Sequence, residues 1–313
     1  MKVLTKSRFK LGLECPNKLF FSGKSEYANS KNEDSFLAAL AQGGFQVEAL
    51  ARMHYPNGIF IDTEHYDYLK AAELTKKALA QEDVIIYEAA FLFDGMFIRT
   101  DILVKNGNRI KLIEVKAKSF DSTDDYLFLG KRGGIVSGWK PYLFDLAFQK
   151  YVILLSRPDF RIEAWLLMAD KTKKASINGL NQMFRIPKNG NPRTDIIKKV
   201  SSLNEVGSSV LSEVNVDRII NDIISNKYLY NDLKFEHAIE LYKNAYQNNQ
   251  FLNCPTNYSI CKKCEFKASE EDVSKGLKSG FMHCFFLLHQ WKESDFARPN
   301  AFEIWNYRGK AFN

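Results

Sequence analysis

Three consecutive β-rich runs in the middle of the chain constrain its fold more than any other feature. Residues 84–93, 96–105 and 109–118 are rich in β-branched and aromatic side chains, and the dipeptides Asp94-Gly95 and Asn106-Gly107 separate them. Such dipeptides between strand-like runs are the strongest short signal for a tight hairpin turn. The pattern therefore predicts a three-stranded meander.

Helical patterns flank this meander on both sides. Apolar residues recur at helical spacing over 33–54, with an interruption at Gly43-Gly44, and again over 67–81. Pro141 opens a helical run that continues to about Leu155, and 161–169 returns to strand character. The resulting core order α, β, β, β, α, β predicts an α/β (α+β) fold.

The remaining residues divide the chain further. Helices are predicted near 195–212, 215–226 and 233–247, and four of the five cysteines follow Leu252. We predict an N-terminal segment (1–32), a core (33–170), a mainly helical segment (171–250) and a cysteine-rich C-terminal segment (251–313) that packs back on the core. The chain stops at FEIWNYRGKAFN without an evident terminator. This predicts a fragment of a longer protein, with a further domain or protein partner beyond that end.

Composition restricts the class of protein. Of 313 residues, 45% are hydrophobic and 26% charged, as in globular proteins. No apolar run is long enough to span a bilayer, and the N-terminus lacks an apolar signal core, so we expect no membrane partner and a cytoplasmic location. In that compartment five cysteines are candidate metal ligands rather than a disulfide framework.

Positive charge is a weaker indication of a polyanionic partner. The net charge is +7, and residues 171–200 contain eight basic residues against one acid, Asp195. These basic residues are Lys171, Lys173, Lys174, Arg185, Lys188, Arg193, Lys198 and Lys199. The segment is either an ordinary solvated surface or one that contacts phosphates.

Charged residues stand out on the second and third strands of the meander. Asp101 lies in IRTDILV, and Glu114 and Lys116 lie in LIEVKAK. Because side chains alternate across a strand, Glu114 and Lys116 share one face. Charges among apolar neighbours are costly unless paired, so the structural interpretation is a buried ion pair or a wet face. The functional interpretation is phosphodiester hydrolysis: the two carboxylates would hold one or two divalent cations, and Lys116 would orient water or stabilise the phosphate.

The pattern D-x(12)-E-V-K on a hairpin preceded by a helix resembles the PD-(D/E)XK nuclease superfamily and, within it, the RecB-like branch. The resemblance implies a restriction-endonuclease-like core, with a central mixed sheet flanked by helices, and dependence on Mg²⁺ or Mn²⁺. It implies catalytic roles for Asp101, Glu114 and Lys116. The metal ligands that it implies are Glu48, Asp101, Glu114 and Val115.

Two acidic positions match the RecB-like branch in part. Glu48 lies four residues after Gly44 and would be the acid that a helix contributes to the metal site; the alternative is an exposed helical glutamate. Glu88, in IIYEAAF on the first strand, matches an acidic position that supports the site.

Three further positions are candidates for contact with the substrate. Gln149 lies on the helix after the meander, where the branch carries a Q-x-x-x-Y motif that contacts substrate; the alternative is an ordinary helical glutamine. Ile153 stands where that motif has its tyrosine, and Tyr151 is only two residues from the glutamine. Lys118 continues the alternation of the third strand and would reach either a phosphate or only water.

The cysteines permit two ligand sets. Cys261 and Cys264 form a C-x-x-C that can place two thiolates on one metal. A local zinc site would add Cys254 and Cys284, whereas a long-range clamp would replace Cys254 with Cys15. Loop closure slightly favours the local set. A resemblance to iron–sulfur nucleases, namely AddB-like and CRISPR-associated RecB-like enzymes, implies instead a [4Fe–4S] cluster on Cys15, Cys261, Cys264 and Cys284, with Zn²⁺ as the alternative.

The chain as a whole resembles bacterial proteins that combine such a module with a cysteine-rich segment ending in SGFxxC, here 279–284. We therefore predict a DNA nuclease that acts on single strands or duplex ends in DNA repair, recombination or defence. One alternative is a catalytically inactive nucleic-acid-binding module with a structural zinc or iron–sulfur site. Another is a zinc-stapled scaffold in which Glu114 and Lys116 form a structural pair.

Overall fold

The computed structural model describes residues 2–32, 35–187 and 196–304, without the side chains of 35–40 and 301. The chain divides into two compact units. The central unit comprises Val3–Lys6 and Ala38–His237, and the terminal unit comprises Met1–Lys2, Ser7–Leu37 and Ala238–Asn313. Most of the predicted core and of the predicted segment 171–250 therefore belongs to one unit.

A seven-stranded mixed sheet organises the central unit. The strands of the chain are β1 (Leu4–Thr5), β2 (Ile59–Phe60), β3 (Asp83–Phe93), β4 (Met96–Asn106), β5 (Arg109–Phe120), β6 (Arg161–Asp170), β7 (Phe184–Arg185), β8 (Ile197–Lys198) and β9 (Leu211–Asn215). The sheet order is β2-β3-β4-β5-β6-β9, with β1 beside β4, while β7 and β8 pair separately. β3, β4 and β5 are antiparallel, β5 and β6 are parallel, and β9 is antiparallel to β6. The predicted meander is confirmed to within two residues.

Helices cover both faces of this sheet. The helices of the chain are α1 (Lys6–Glu14), α2 (Asn17–Phe21), α3 (Ser35–Met53), α4 (Tyr68–Ala78), α5 (Lys140–Ser156), α6 (Asp217–Ile224), α7 (Phe235–Gln247), α8 (Tyr258–Lys262), α9 (Glu270–Ser274), α10 (Gly280–His289) and α11 (Glu293–Phe296). Ala49 and Ala51 of α3 join a buried cluster with Ile113 and Val115. α5 connects the parallel strands β5 and β6. Gln149 on this helix contacts Glu114, which lies between Ile113 and Val115 on β5 and therefore points to the opposite face of the sheet.

The segment after residue 170 differs from its prediction. The helix predicted at 195–212 is wrong: 197–198 form β8, Leu203–Val206 form a single 3₁₀ turn, and Leu211 begins β9. Gly207, at φ 70°, follows that turn in a conformation that a helix does not use. The other two helices are confirmed as α6 and α7, and the described part of 171–250 also contains the three short strands β7, β8 and β9.

Two smaller expectations concern the first long helix. Gly43 and Gly44 do not interrupt α3, which runs through them, because glycine lowers helix stability by only about 1 kcal/mol. The predicted start at Glu33 lies outside the described residues, as do Lys188, Arg193 and Asp195 of the basic segment.

Aromatic side chains form the core of the terminal unit. Tyr258, Phe281, Phe285 and Phe302 are buried together, and the rings of Tyr258 and Phe302 stack with centroids 5.4 Å apart. Within the residues that the structure describes, no helix has both the length and the apolar character needed to cross a bilayer.

Candidate active site and cysteine site

Glu114 is the centre of the charged site in the central unit. Its side chain is fully buried, and both carboxylate oxygens accept hydrogen bonds from Lys6 Nζ, at 3.1 and 3.2 Å. Lys116 Nζ also donates to Oε1, and Gln149 Nε2 donates to Oε2 at 2.9 Å. Burial alone raises the pKa of Glu114, but Lys116 and Lys6 outweigh it and hold the pKa below its ordinary value.

Asp101 lies beside Glu114 on the neighbouring strand. The register of β4 and β5 pairs Ile102 with Ile113, so the next residues outward are Asp101 and Glu114, on the same side of the sheet. Asp101 Oδ2 accepts a hydrogen bond from the backbone N–H of Val115 at 2.7 Å. Burial and the nearby Glu114 raise its pKa well above the ordinary value. The two carboxylates are thus adjacent, as the sequence predicts.

Lys6 is a member of the site that the sequence did not predict. β1 pairs with the start of β4 through Leu4 and Met96, and Lys6 follows directly. Its Nζ lies 3.8 Å from Asp101 Oδ1, in addition to its contacts with Glu114. Burial lowers the pKa of Lys6, but Glu114 and Asp101 outweigh it, and the pKa is well above its ordinary value. Lys6 therefore remains an ammonium between two carboxylates.

Lys116 connects the site to α5. Its Nζ lies 3.8 Å from Oδ2 of Asp145, which is fully buried. Burial lowers the pKa of Lys116, but Glu114 and Asp145 raise it above its ordinary value. Gln149, one turn further along α5, is buried with its Oε1 unbonded. The structure thus places Gln149 as a partner of Glu114.

Glu48 and Glu88 lie around Arg52 of α3. Arg52 Nη2 is 3.4 Å from Glu48 and 3.5 Å from Glu88, and the charge of Glu48 also acts on Asp101. Glu88 has φ 57° within a strand, which is uncommon for a residue with a side chain and costs of order 1 kcal/mol or more. It lies at the β3 position opposite Asp101 in the register. The β3 backbone is thus distorted next to the site.

Lys118 and Tyr151 are the remaining residues that the sequence predicts for this site. Lys118 donates to the carbonyl of Gly138 at 2.5 Å and lies over the ring of Trp139. Tyr151 packs edge-on against Phe235, with ring centroids 5.7 Å apart.

The donor chemistry fits a hard divalent cation. The adjacent carboxylates of Asp101 and Glu114 are typical oxygen ligands for Mg²⁺ or Mn²⁺, and Val115 has only its main-chain carbonyl to offer. Among the described residues, no three His, Cys, Asp or Glu side chains are grouped closely enough to form a ready-made metal site. In the structure the ammonium of Lys6 lies between these two carboxylates.

The five cysteines all lie in the terminal unit, as free thiols. Cys15, Cys261, Cys264 and Cys284 are partly buried and close enough for their charges to interact. Burial raises the pKa of Cys261 to about 11 and that of Cys264 to about 12. Cys254 donates a hydrogen bond to Cys15, which lowers the pKa of Cys15 to about 7. The charges of Cys15, Cys261 and Cys264 act on Cys284 and Cys254 lies beside Cys15, but these thiols form no grouped metal site among the described residues.

Charged and aromatic contacts hold the segments that carry these cysteines. Lys18, which is almost fully buried, pairs with Glu265 at 2.5 Å, immediately after Cys264. Gly280, in the first turn of α10, lies so close to Phe266 that a Cβ there would be 2.8 Å from the Phe266 Cβ.

Soft thiolates suit zinc and iron–sulfur clusters alike. Since a [4Fe–4S] cluster binds each thiolate to a different iron, its ligands need not converge on one point.

Comparisons with family models, with curated proteins and with solved structures each find no significant match to this chain.

Proposed function

We propose that this protein is a metal-dependent DNA nuclease with a restriction-endonuclease-like core. The observation that carries the proposal is the convergence of Asp101, Glu114 and Lys116 at the point where β4 and β5 stop pairing. Supporting it are the meander, the α5 crossover and the parallel strand β6, which are the elements that the resemblance to PD-(D/E)XK nucleases implies.

Each side chain has a distinct part in the proposed reaction. A divalent cation bound between the carboxylates would lower the pKa of a water molecule and polarise the scissile phosphate. Asp101 and Glu114 would hold that cation, and Gln149 orients Glu114 through its 2.9 Å hydrogen bond. Lys116 remains protonated and stabilises the charge that develops on the phosphate.

Cleavage of labelled single-stranded DNA and of a blunt duplex in Mn²⁺ tests this function. We expect the parent protein to cut at least one of them, and Asp101→Asn to be slower by about 100-fold or more, because loss of one ligand weakens cation binding. Asp159→Asn, which changes an exposed aspartate paired with Arg157, is the matched control and should cleave like the parent. Equal cleavage by Asp101→Asn and the parent would reject the assignment, and DNA binding without cleavage would favour the inactive module.

We further propose that Cys15, Cys261, Cys264 and Cys284 bind a [4Fe–4S] cluster. The partial burial of these four thiols and the aromatic cluster that packs against Cys261, Cys264 and Cys284 support this choice. Such a cluster would tie the start of the terminal unit to its end and restrict the unfolded chain, as a closed loop does.

The ligand set can be decided by metal analysis after anaerobic purification. We expect iron and acid-labile sulfide in the parent and in Cys254→Ser, and loss of both in Cys15→Ser. Stoichiometric zinc that survives Cys15→Ser but is lost in Cys254→Ser would instead establish the local zinc site.

A further inference from the structure

Lys6 occupies a position in the site that no motif assigns. Its ammonium contacts both oxygens of Glu114 at 3.1 and 3.2 Å and approaches Asp101 at 3.8 Å. The backbone before it is fixed, because Leu4 is fully buried and its N–H donates to the Gly95 carbonyl at 2.8 Å. A tethered positive charge thus lies between the two proposed metal ligands.

A lysine in this position has two physical consequences. It satisfies the buried carboxylates when no other cation is present, which keeps Glu114 and Asp101 close together despite their repulsion. It also competes with any ion that needs the same oxygens, since the ammonium and a divalent cation cannot both take up the short contacts.

We propose that Lys6 is an internal counter-ion that holds the metal-free site together and must be displaced for a divalent cation to bind. This inference rests on the proposed nuclease site. Displacement needs no change in the fold, because the four-carbon stem of lysine is flexible. The Lys6 side chain is 23% exposed, so part of it already contacts solvent, and its rotation does not require β1 to separate from β4.

Direct measurement of Mn²⁺ binding tests the inference without an activity assay. Free Mn²⁺ is measured by electron paramagnetic resonance during titration of the parent, Lys6→Met and Lys6→Gln. We expect both variants to bind Mn²⁺ about tenfold or more tightly than the parent, because the competing charge is gone. Lys77→Met, which removes an exposed lysine paired with Glu73 on α4, should bind like the parent.

The outcomes separate this inference from the function on which it rests. Unchanged or weaker binding in both Lys6 variants, with binding to the parent abolished by Asp101→Asn, overturns the counter-ion role and leaves the metal site standing. Absence of Mn²⁺ binding in the parent and in both Lys6 variants overturns the metal site as well. Circular dichroism shows whether each variant is folded. Lys6→Gln retains a hydrogen-bond donor for Glu114, so it still tests the inference if Lys6→Met does not fold.

Discussion

Two isosteric substitutions in the charged site should change stability in opposite directions. Glu114→Gln replaces a fully buried carboxylate that accepts hydrogen bonds from Lys6, Lys116 and Gln149. The new amide would leave two ammonium groups without their shared anion. Breaking a buried charge pair by removing one partner costs about 3–5 kcal/mol, and we expect a free energy of unfolding lower by that amount.

Asp101→Asn should instead stabilise the metal-free protein. An asparagine oxygen can keep the hydrogen bond from the Val115 N–H, while the substitution removes the repulsion between Asp101 and Glu114 that raises the pKa of Asp101. The ion pair that it sacrifices is long, at 3.8 Å from Lys6. Relief of such a functional charge conflict raises stability by about 0.5–2 kcal/mol.

Equilibrium urea unfolding in EDTA measures both changes in stability. The control is Asp159→Asn, which should change the free energy of unfolding by less than about 1 kcal/mol.

The pH dependence of stability gives a second check on Asp101. Because its folded pKa is raised, ionisation penalises the folded state as pH rises through that pKa, and the penalty is absent below about pH 4. The advantage of Asp101→Asn should therefore be present at neutral pH and vanish in acid. If Asp101→Asn is less stable than the parent at neutral pH, the charge conflict inferred from the structure does not exist.

Three further substitutions test packing and the support of the site. Gly12→Ala would place a Cβ 2.8 Å from the buried ring of Tyr242 and should lower the free energy of unfolding by about 1–3 kcal/mol. Gly43 has open space around it, so Gly43→Ala should raise the free energy of unfolding by up to about 1 kcal/mol. Urea unfolding in which both variants change stability in the same direction would contradict this reasoning. Gln149→Met removes the donor to Glu114 and should reduce the cleavage rate about 10- to 100-fold with an unchanged circular dichroism spectrum, so an unchanged rate would exclude a positioning role for Gln149.

The parts of the fold that the sequence predicts are those with a local signal. The meander follows from the alternation of its strands and from Asp94-Gly95 and Asn106-Gly107, whose glycines have positive φ angles in the structure. Asp101 and Glu114 are brought together by one hairpin turn, so strand register alone makes them neighbours. By contrast, Glu88 has a φ of 57°, although its sequence neighbours are those of an ordinary strand.

What the sequence did not predict depends on contacts between distant residues. β1 has only two residues, which is too short for a period to be detected, and its pairing with β4 places Lys6 beside Glu114, 108 residues later in the chain. The helix wrongly predicted at 195–212 also reflects contacts between distant residues. The spacing of apolar residues there suited a helix, but β9 gains ladder hydrogen bonds and burial along β6, and tertiary contacts outweigh such a weak preference.

The charge balance of the site bears on whether it is a structural ion pair or a metal site. Lys6 and Lys116 supply two positive charges, while Asp101, Glu114 and Asp145 supply three negative charges when all are ionised. In a purely structural network we would expect each carboxylate to be stabilised by its neighbours, with its pKa lowered. Glu114 follows that expectation, but Asp101 has a raised pKa. Burial and Glu114 outweigh the effect of the two lysines on Asp101, so its neighbours do not stabilise its ionised form, whereas a divalent cation beside it would.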